Sequence, residues 1–202
     1  PPGLVVHPGA GNWNGTLVNA LIYHCGDSLS GIGGVKRPGI VHRLDADTSG
    51  LMVFARGAAA QKYLARHFQE RKISKEYRAR VAGIVGPDQG EVELPILCDW
   101  ENRPRQKISN EGKWALTRYR VLHRDVDNDS TLLALEPYTG RSHQLRIHMR
   151  ELGHPIIGCD LYAPEAVMAR SPSMPNTVAS ASIRCGASSK ITALGSVLSC
   201  CT

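Results

Sequence analysis

The chain has 202 residues, 42% hydrophobic and 21% charged, with a formal charge of +6 and an isoelectric point near 9.1. That length suits one domain around a single core, and the ordinary composition excludes a disordered or fibrous chain. No apolar run approaches the roughly 20 residues that cross a bilayer, and the positive charge suits a polyanionic partner without specifying one.

Residues 3–12 read as a short buried strand, Leu4-Val5-Val6, entering a turn-rich loop, and residues 16–23 as a short helix. The start, Pro1-Pro2, carries no charged and apolar leader, so a cytosolic chain that begins upstream is expected. Residues 26–39, with five glycines and one proline, form a loop. Ile40-Val41 and residues 51–55 are extended apolar runs, which puts the polar segment His42-Arg43-Leu44-Asp45-Ala46-Asp47-Thr48-Ser49-Gly50 on a loop between strands.

Residues 58–71 have helical spacing, with Ala60, Leu64 and Phe68 on the core face. From Lys75 the period becomes two: Tyr77, Ala79 and Val81 alternate with Arg78 and Arg80, as in a half-buried strand with a basic outer face. Residues 92–94, 116–122 and 131–135 are further strands. Glu136-Pro137-Tyr138-Thr139-Gly140 turns into a helix with Ser142 as N-cap, Leu145, Met149 and Leu152 inward, Arg146 and Arg150 standing off, and Gly153 as its stop. Strands outnumber helices without a βαβ rhythm, so an α+β domain around a mostly antiparallel sheet is expected. After Glu165 there is no further acidic residue, Ser and Ala dominate, and neither period persists. Residues 1–165 are therefore read as the domain and 166–202 as an atypical tail.

Six scattered cysteines lack a C-x-x-C pair, and His143 and His148 stand five apart, so neither a disulfide frame nor a metal site is expected. The chemistry concentrates at Asp45 and Asp47. Carboxylates two apart serve as general acid and base, or as a nucleophile with a neighbour. They equally form an Asx-type turn closed by Gly50, with Asp45 paired to Arg43. A helix arginine such as Arg146 is by itself as consistent with solvent as with a site, and Tyr77 as consistent with the core as with a ligand.

Three segments in order, Gly39-Ile40-Val41-His42-Arg43-Leu44-Asp45 with Asp47-Thr48-Ser49-Gly50, Lys75-Glu76-Tyr77, and Tyr138-Thr139-Gly140-Arg141-Ser142-His143-Gln144-Leu145-Arg146-Ile147-His148-Met149, resemble the RluA/RluD family of RNA pseudouridine synthases. The likeness runs to about Tyr162. It implies that Asp45 is the catalytic aspartate, that Tyr77 stacks on the flipped base, and that Arg146 pairs with Asp45 and keeps it ionised. Uridine isomerisation needs no cofactor. Arg43 is the candidate to fill the gap left by the extruded base, beside His42. Lys75, Arg141, Arg103, Arg105 and Lys107 are the expected RNA contacts, Trp100 adding a stacking surface or a loop anchor.

The opening loop resembles the branch acting on large-subunit ribosomal RNA, and residues 98–107 the branch that also accepts transfer RNA. A monomer acting on ribosomal RNA first and transfer RNA second is expected. The strand that in relatives follows the Tyr162 region, and walls the pocket, is not recognisable in residues 166–202, for which a shifted reading frame is one explanation. Two other readings fit the charge and the acids: an RNA-binding protein without chemistry, and a hydrolase using Asp45 and Asp47 as a pair.

Overall fold

A computed structural model describes residues 2–9, 11–26, 29 and 38–170, and the backbone of 178–185 and 189–191. Two helices come first, α1 (Leu17–Cys25) and α2 (Ala58–Gln69). The strands β1 (Ile73–Ala82), β2 (Gln89–Glu93), β3 (Ile96–Cys98), β4 (Gln106–Ile108), β5 (Leu116–Asp125) and β6 (Ser130–Pro137) follow, and then α3 (Gln144–Glu151), α4 (Glu165–Met168), β7 (Val178–Cys185) and β8 (Ser189–Ile191). The main sheet has the order β2-β5-β6-β1-β7-β8, every pairing antiparallel, and β3 with β4 forms a separate hairpin. This is the α+β, antiparallel architecture expected from the strand periods.

The core lies between the sheet and α3. Ala79 and Val81 of β1, Tyr119 of β5, and Leu133 and Leu135 of β6 meet Ile147 and Met149 of α3, all of them buried. Arg78 of β1 is exposed and Arg80 half-buried, the alternation expected there. The helix α3 is tied to the sheet by buried polar groups as well. The Gln144 amide donates to the Leu116 carbonyl at 2.9 Å and to the Thr117 hydroxyl at 3.0 Å, while its oxygen accepts from Thr139 at 2.7 Å and from the Arg141 N–H at 3.0 Å. His148 is fully buried, with Nδ1 2.9 Å from the Thr117 hydroxyl and Nε2 3.1 Å from the Leu94 carbonyl. Burial holds its pKa below the ordinary histidine value, and the neutral ring then accepts from Thr117 and donates to Leu94, leaving no polar atom orphaned.

Several elements differ from their sequence expectation. Among the described residues, 3–9 and 11–12 form no strand but a bent segment in which Gly9 bridges Asn12, Gly3 and Gly11 taking positive φ. Its carbonyls still cap α1: Leu17 and Val18 donate to Val5 and Val6. The runs around Ile40 and Phe54 pair at a single bridge rather than as strands. Gly39 permits that crossing, since its φ is +72° and an added Cβ would lie 2.3 Å from the Ala55 carbonyl oxygen.

On α2 the buried position is Gln61, with Leu64 and Phe68 half-buried and Ala60 exposed, so the helix is rotated by about one residue. Phe68 is turned to stack on His42 at 4.9 Å. The N-cap of α3 is His143, at φ 52°, not Ser142. Arg146 is buried rather than standing off its helix. In the tail, β7 pairs with β1 from Ile73↔Cys185 to Ala79↔Val178, so the sheet continues at the edge where no strand was recognisable. Backbone pairing needs only N–H and C=O groups, which a Ser- and Ala-rich segment supplies without a hydrophobic period.

Candidate active site

The loop from His42 to Thr48, the β1 residues Lys75 and Tyr77, and the turn into α3 converge on one cleft of about 590 Å³. The loop is closed by a turn in which the Thr48 N–H donates to the Asp45 carbonyl at 2.9 Å, leaving the Asp45 carboxylate free to face the cleft. Arg146 rises into its floor from the first turn of α3. Its Nε is 3.2 Å from Asp45 Oδ2, and its other nitrogens lie 3.1 Å from Asp47 and 3.7 Å from Asp160. The guanidinium side chain is 9% exposed, against 23% for Asp45. Burial works against its charge, but Asp45, followed by Cys159 and Asp47, outweighs it and holds Arg146 above its ordinary value.

Tyr77 is half-buried on β1 and lines the cleft with Asp45. Burial, and next the Asp45 charge, push its phenol up to about 12. Lys75, also half-buried and in the cleft, is held below the usual lysine value by burial. His42 is pulled down to about 4 by burial and then by Lys75, and its Nε2 accepts the Val53 N–H at 2.9 Å. A neutral ring fixed in this way forms part of the cleft wall.

His143 lies beside the acid in the left-handed backbone region. Burial holds it below the ordinary value, the upward pull of Asp45 being met by Arg146 and Arg43. Its Nδ1 is 2.8 Å from the Tyr162 hydroxyl, which also accepts the Gln106 N–H at 2.7 Å, so the β3–β4 hairpin is hydrogen-bonded to the cleft through Tyr162.

Of the residues expected to act, the structure brings together Asp45, Tyr77, Arg146, His42, Arg43, Lys75 and Arg141. Arg43 is exposed on the rim and makes no ion pair among the described residues, so a bridge to Asp45 or Asp47 is not its role. Arg103, Arg105 and Lys107 do not line the cleft. They sit, exposed, on the β3–β4 hairpin, where Arg103 stacks on Trp100 at 3.9 Å. Asp47, 61% exposed, is likewise outside the cleft lining. Sequence reasoning missed Asp160, His143 and Tyr162. Only His143 lies in one of the three segments that carry the resemblance, and its placement depends on a backbone angle that residue type does not announce.

A family model described as RNA pseudouridylate synthase matches residues 1–151. The chain is 51% identical over 162 residues to an uncharacterized RNA pseudouridine synthase of Aquifex aeolicus, covering 80% of this chain and 51% of that one. It is 46% identical over 164 residues to ribosomal large subunit pseudouridine synthase D of Zymomonas mobilis, with coverage of 80% and 51%. It is 57% identical over 132 residues to the dual-specificity RNA pseudouridine synthase RluA of Pasteurella multocida, with coverage of 65% and 60%. It thus spans little more than half the length of these relatives. Among solved structures, human RNA pseudouridylate synthase domain containing 1 superposes with a TM-score of 0.65 at 28% identity, over 78% of this chain and 64% of that one.

Proposed function

The chain belongs to the RluA/RluD family of RNA pseudouridine synthases, and from that membership we propose that it isomerises specific uridines to pseudouridine in structured RNA, with Asp45 as the essential acid. The observation that carries this proposal is the contact of Arg146 Nε with Asp45 at 3.2 Å, in a cleft that Tyr77 also lines. The described cleft is within the size range of small-ligand pockets and admits one extruded nucleotide.

In the reaction the N1–C1′ bond breaks, the uracil turns within the pocket, and a C5–C1′ bond forms. The proton on C5 is lost and N1 takes one up, so nothing is oxidised or reduced and no cofactor is needed. Asp45 serves by attack on C1′ or C6, or by taking a sugar proton; each route needs a carboxylate against the flipped nucleotide. Arg146 fixes that carboxylate and supplies its counter-charge. A phenol with a pKa near 12 stays protonated at neutral pH, so Tyr77 offers the base a ring face and a hydrogen-bond donor rather than a proton acceptor.

Arg43 is free to enter the vacated stack, and Lys75 and Arg141 meet the flipped nucleotide's phosphates. Arg103, Arg105 and Lys107 reach RNA beyond the cleft. His42 positions the acid's loop. The position of Asp47 outside the cleft speaks against hydrolysis by paired acids. Residues 1–165 act as the catalytic unit, in a cytosolic monomer.

The Zymomonas relative is named for the large ribosomal subunit and the Pasteurella relative for dual specificity, which supports ribosomal RNA as the first substrate and transfer RNA as the second. Mapping pseudouridines in cells lacking and then regaining the gene tests this. A large-subunit site that disappears and returns is expected, and an unchanged map contradicts the proposal.

A further inference from the structure

At the rim of the cleft stands a group of side chains that the chemistry above leaves unused. Trp114 and Tyr138 meet edge to face with ring centroids 6.0 Å apart, and they are 39% and 44% exposed. The guanidinium of Arg71 lies 5.0 Å and 5.1 Å from the two centroids. Arg71 is exposed and, among the described residues, has no carboxylate partner. Paired aromatics left open to water beside an unpaired cation are a composition suited to binding rather than to the core.

The group is built rather than incidental. The Trp114 indole N–H donates to Glu93 at 2.6 Å, and the Trp114 carbonyl accepts from Arg141 Nε at 3.0 Å. Arg71 holds a left-handed backbone, φ 57°, immediately after Glu70, the C-cap of α2, a conformation uncommon for a side-chain-bearing residue. That angle ends the helix and carries the guanidinium over the rings. Tyr138, Arg71 and Arg141 also line the Asp45 cleft, so shelf and cleft form one continuous surface.

We propose that Tyr138 and Trp114, with Arg71 above them, form a stacking subsite for the nucleotide adjacent to the target uridine. The inference rests on the uridine-isomerase proposal. Flipping one base unstacks its neighbour, which then needs a new flat partner. An aromatic face provides it for any base, so the shelf adds affinity and strand direction rather than base identity. On binding, the base takes the ring face that Arg71 now covers, and Arg71 and Arg141 turn to the flanking phosphates.

The test uses the shortest stem-loop of large-subunit ribosomal RNA that the full chain isomerises, alongside the same RNA with an abasic residue on either side of the target. The unsubstituted chain should bind one abasic RNA about tenfold more weakly. Tyr138→Ala should bind the intact RNA about tenfold more weakly and show no further loss on that abasic RNA, while Tyr138→Phe keeps its affinity within about threefold. Full, independent losses from the substitution and the abasic residue would overturn the subsite, as would unchanged affinity in Tyr138→Ala. Both results leave isomerisation by the unsubstituted chain intact. If that chain isomerises no RNA, the underlying proposal falls and the subsite with it.

Discussion

Arg146 meets Asp45 across a gap of about one hundred residues in the chain, Nε to Oδ2 at 3.2 Å, while another nitrogen of the same guanidinium holds Asp47 at 3.1 Å. A planar fork can grip two carboxylates at fixed angles, which an ammonium cannot. Arg146→Lys should therefore lower pseudouridine formation by at least about a hundredfold, although the charge is kept. The stability cost should be about 1–3 kcal/mol, below that of a fully buried pair, because Asp47 is 61% exposed and Asp160 64%. Single-turnover rates and urea midpoints separate the two effects.

Tyr77 offers a ring face, so its removal and its conservative replacement should part company. Tyr77→Ala should weaken RNA binding by about tenfold, the scale of one base–aromatic stack, whereas Tyr77→Phe keeps affinity within about threefold. Filter binding of the same RNA to both variants checks this. Equal losses in the two would mean that the hydroxyl, not the ring, makes the contact.

Part of this site was legible and part was not, for physical reasons. The period of two over Tyr77, Ala79 and Val81 announced β1 because one of its faces is buried and the other wet. Arg146 read as a solvent-facing position on α3, and its burial comes from carboxylates on a distant loop that helical spacing does not register. The strands β3 and β4 have three residues each, too few to display alternation. His148 shares its segment with Arg146, yet it lies outside the cleft lining and its partners are Thr117 and Leu94. The Arg71, Trp114 and Tyr138 group is assembled from three segments far apart in the chain, so the spacing within any one of them does not announce it.

The polar tie under α3 predicts a stability effect without direct chemistry. His148→Leu leaves the Leu94 carbonyl and the Thr117 hydroxyl each short of a partner in a buried setting, at a cost of about 1–3 kcal/mol. A lowered urea midpoint with an unchanged slope is the expected record.

Acid should loosen the site through His42. Its folded pKa of about 4 lies below the ordinary 6.5, so the unfolded chain binds the proton first as pH falls. Its contribution is complete above about 6.5 and is lost as pH drops toward about 4. His42→Gln keeps an acceptor for the Val53 N–H but cannot titrate, and should flatten the stability profile over that interval. Melting curves from pH 7 to pH 4 for both proteins make the comparison; equal slopes would assign the acid sensitivity to other groups.

Asp45 is tested most directly by release of tritium from RNA labelled at C5 of uridine, because only isomerisation at that carbon frees the label. The unsubstituted chain should release it from a large-subunit ribosomal RNA fragment. Asp45→Asn, which keeps the size of the side chain and removes its charge, should release none above background while still binding the RNA. Undiminished release by Asp45→Asn would contradict the assignment of Asp45 as the essential acid.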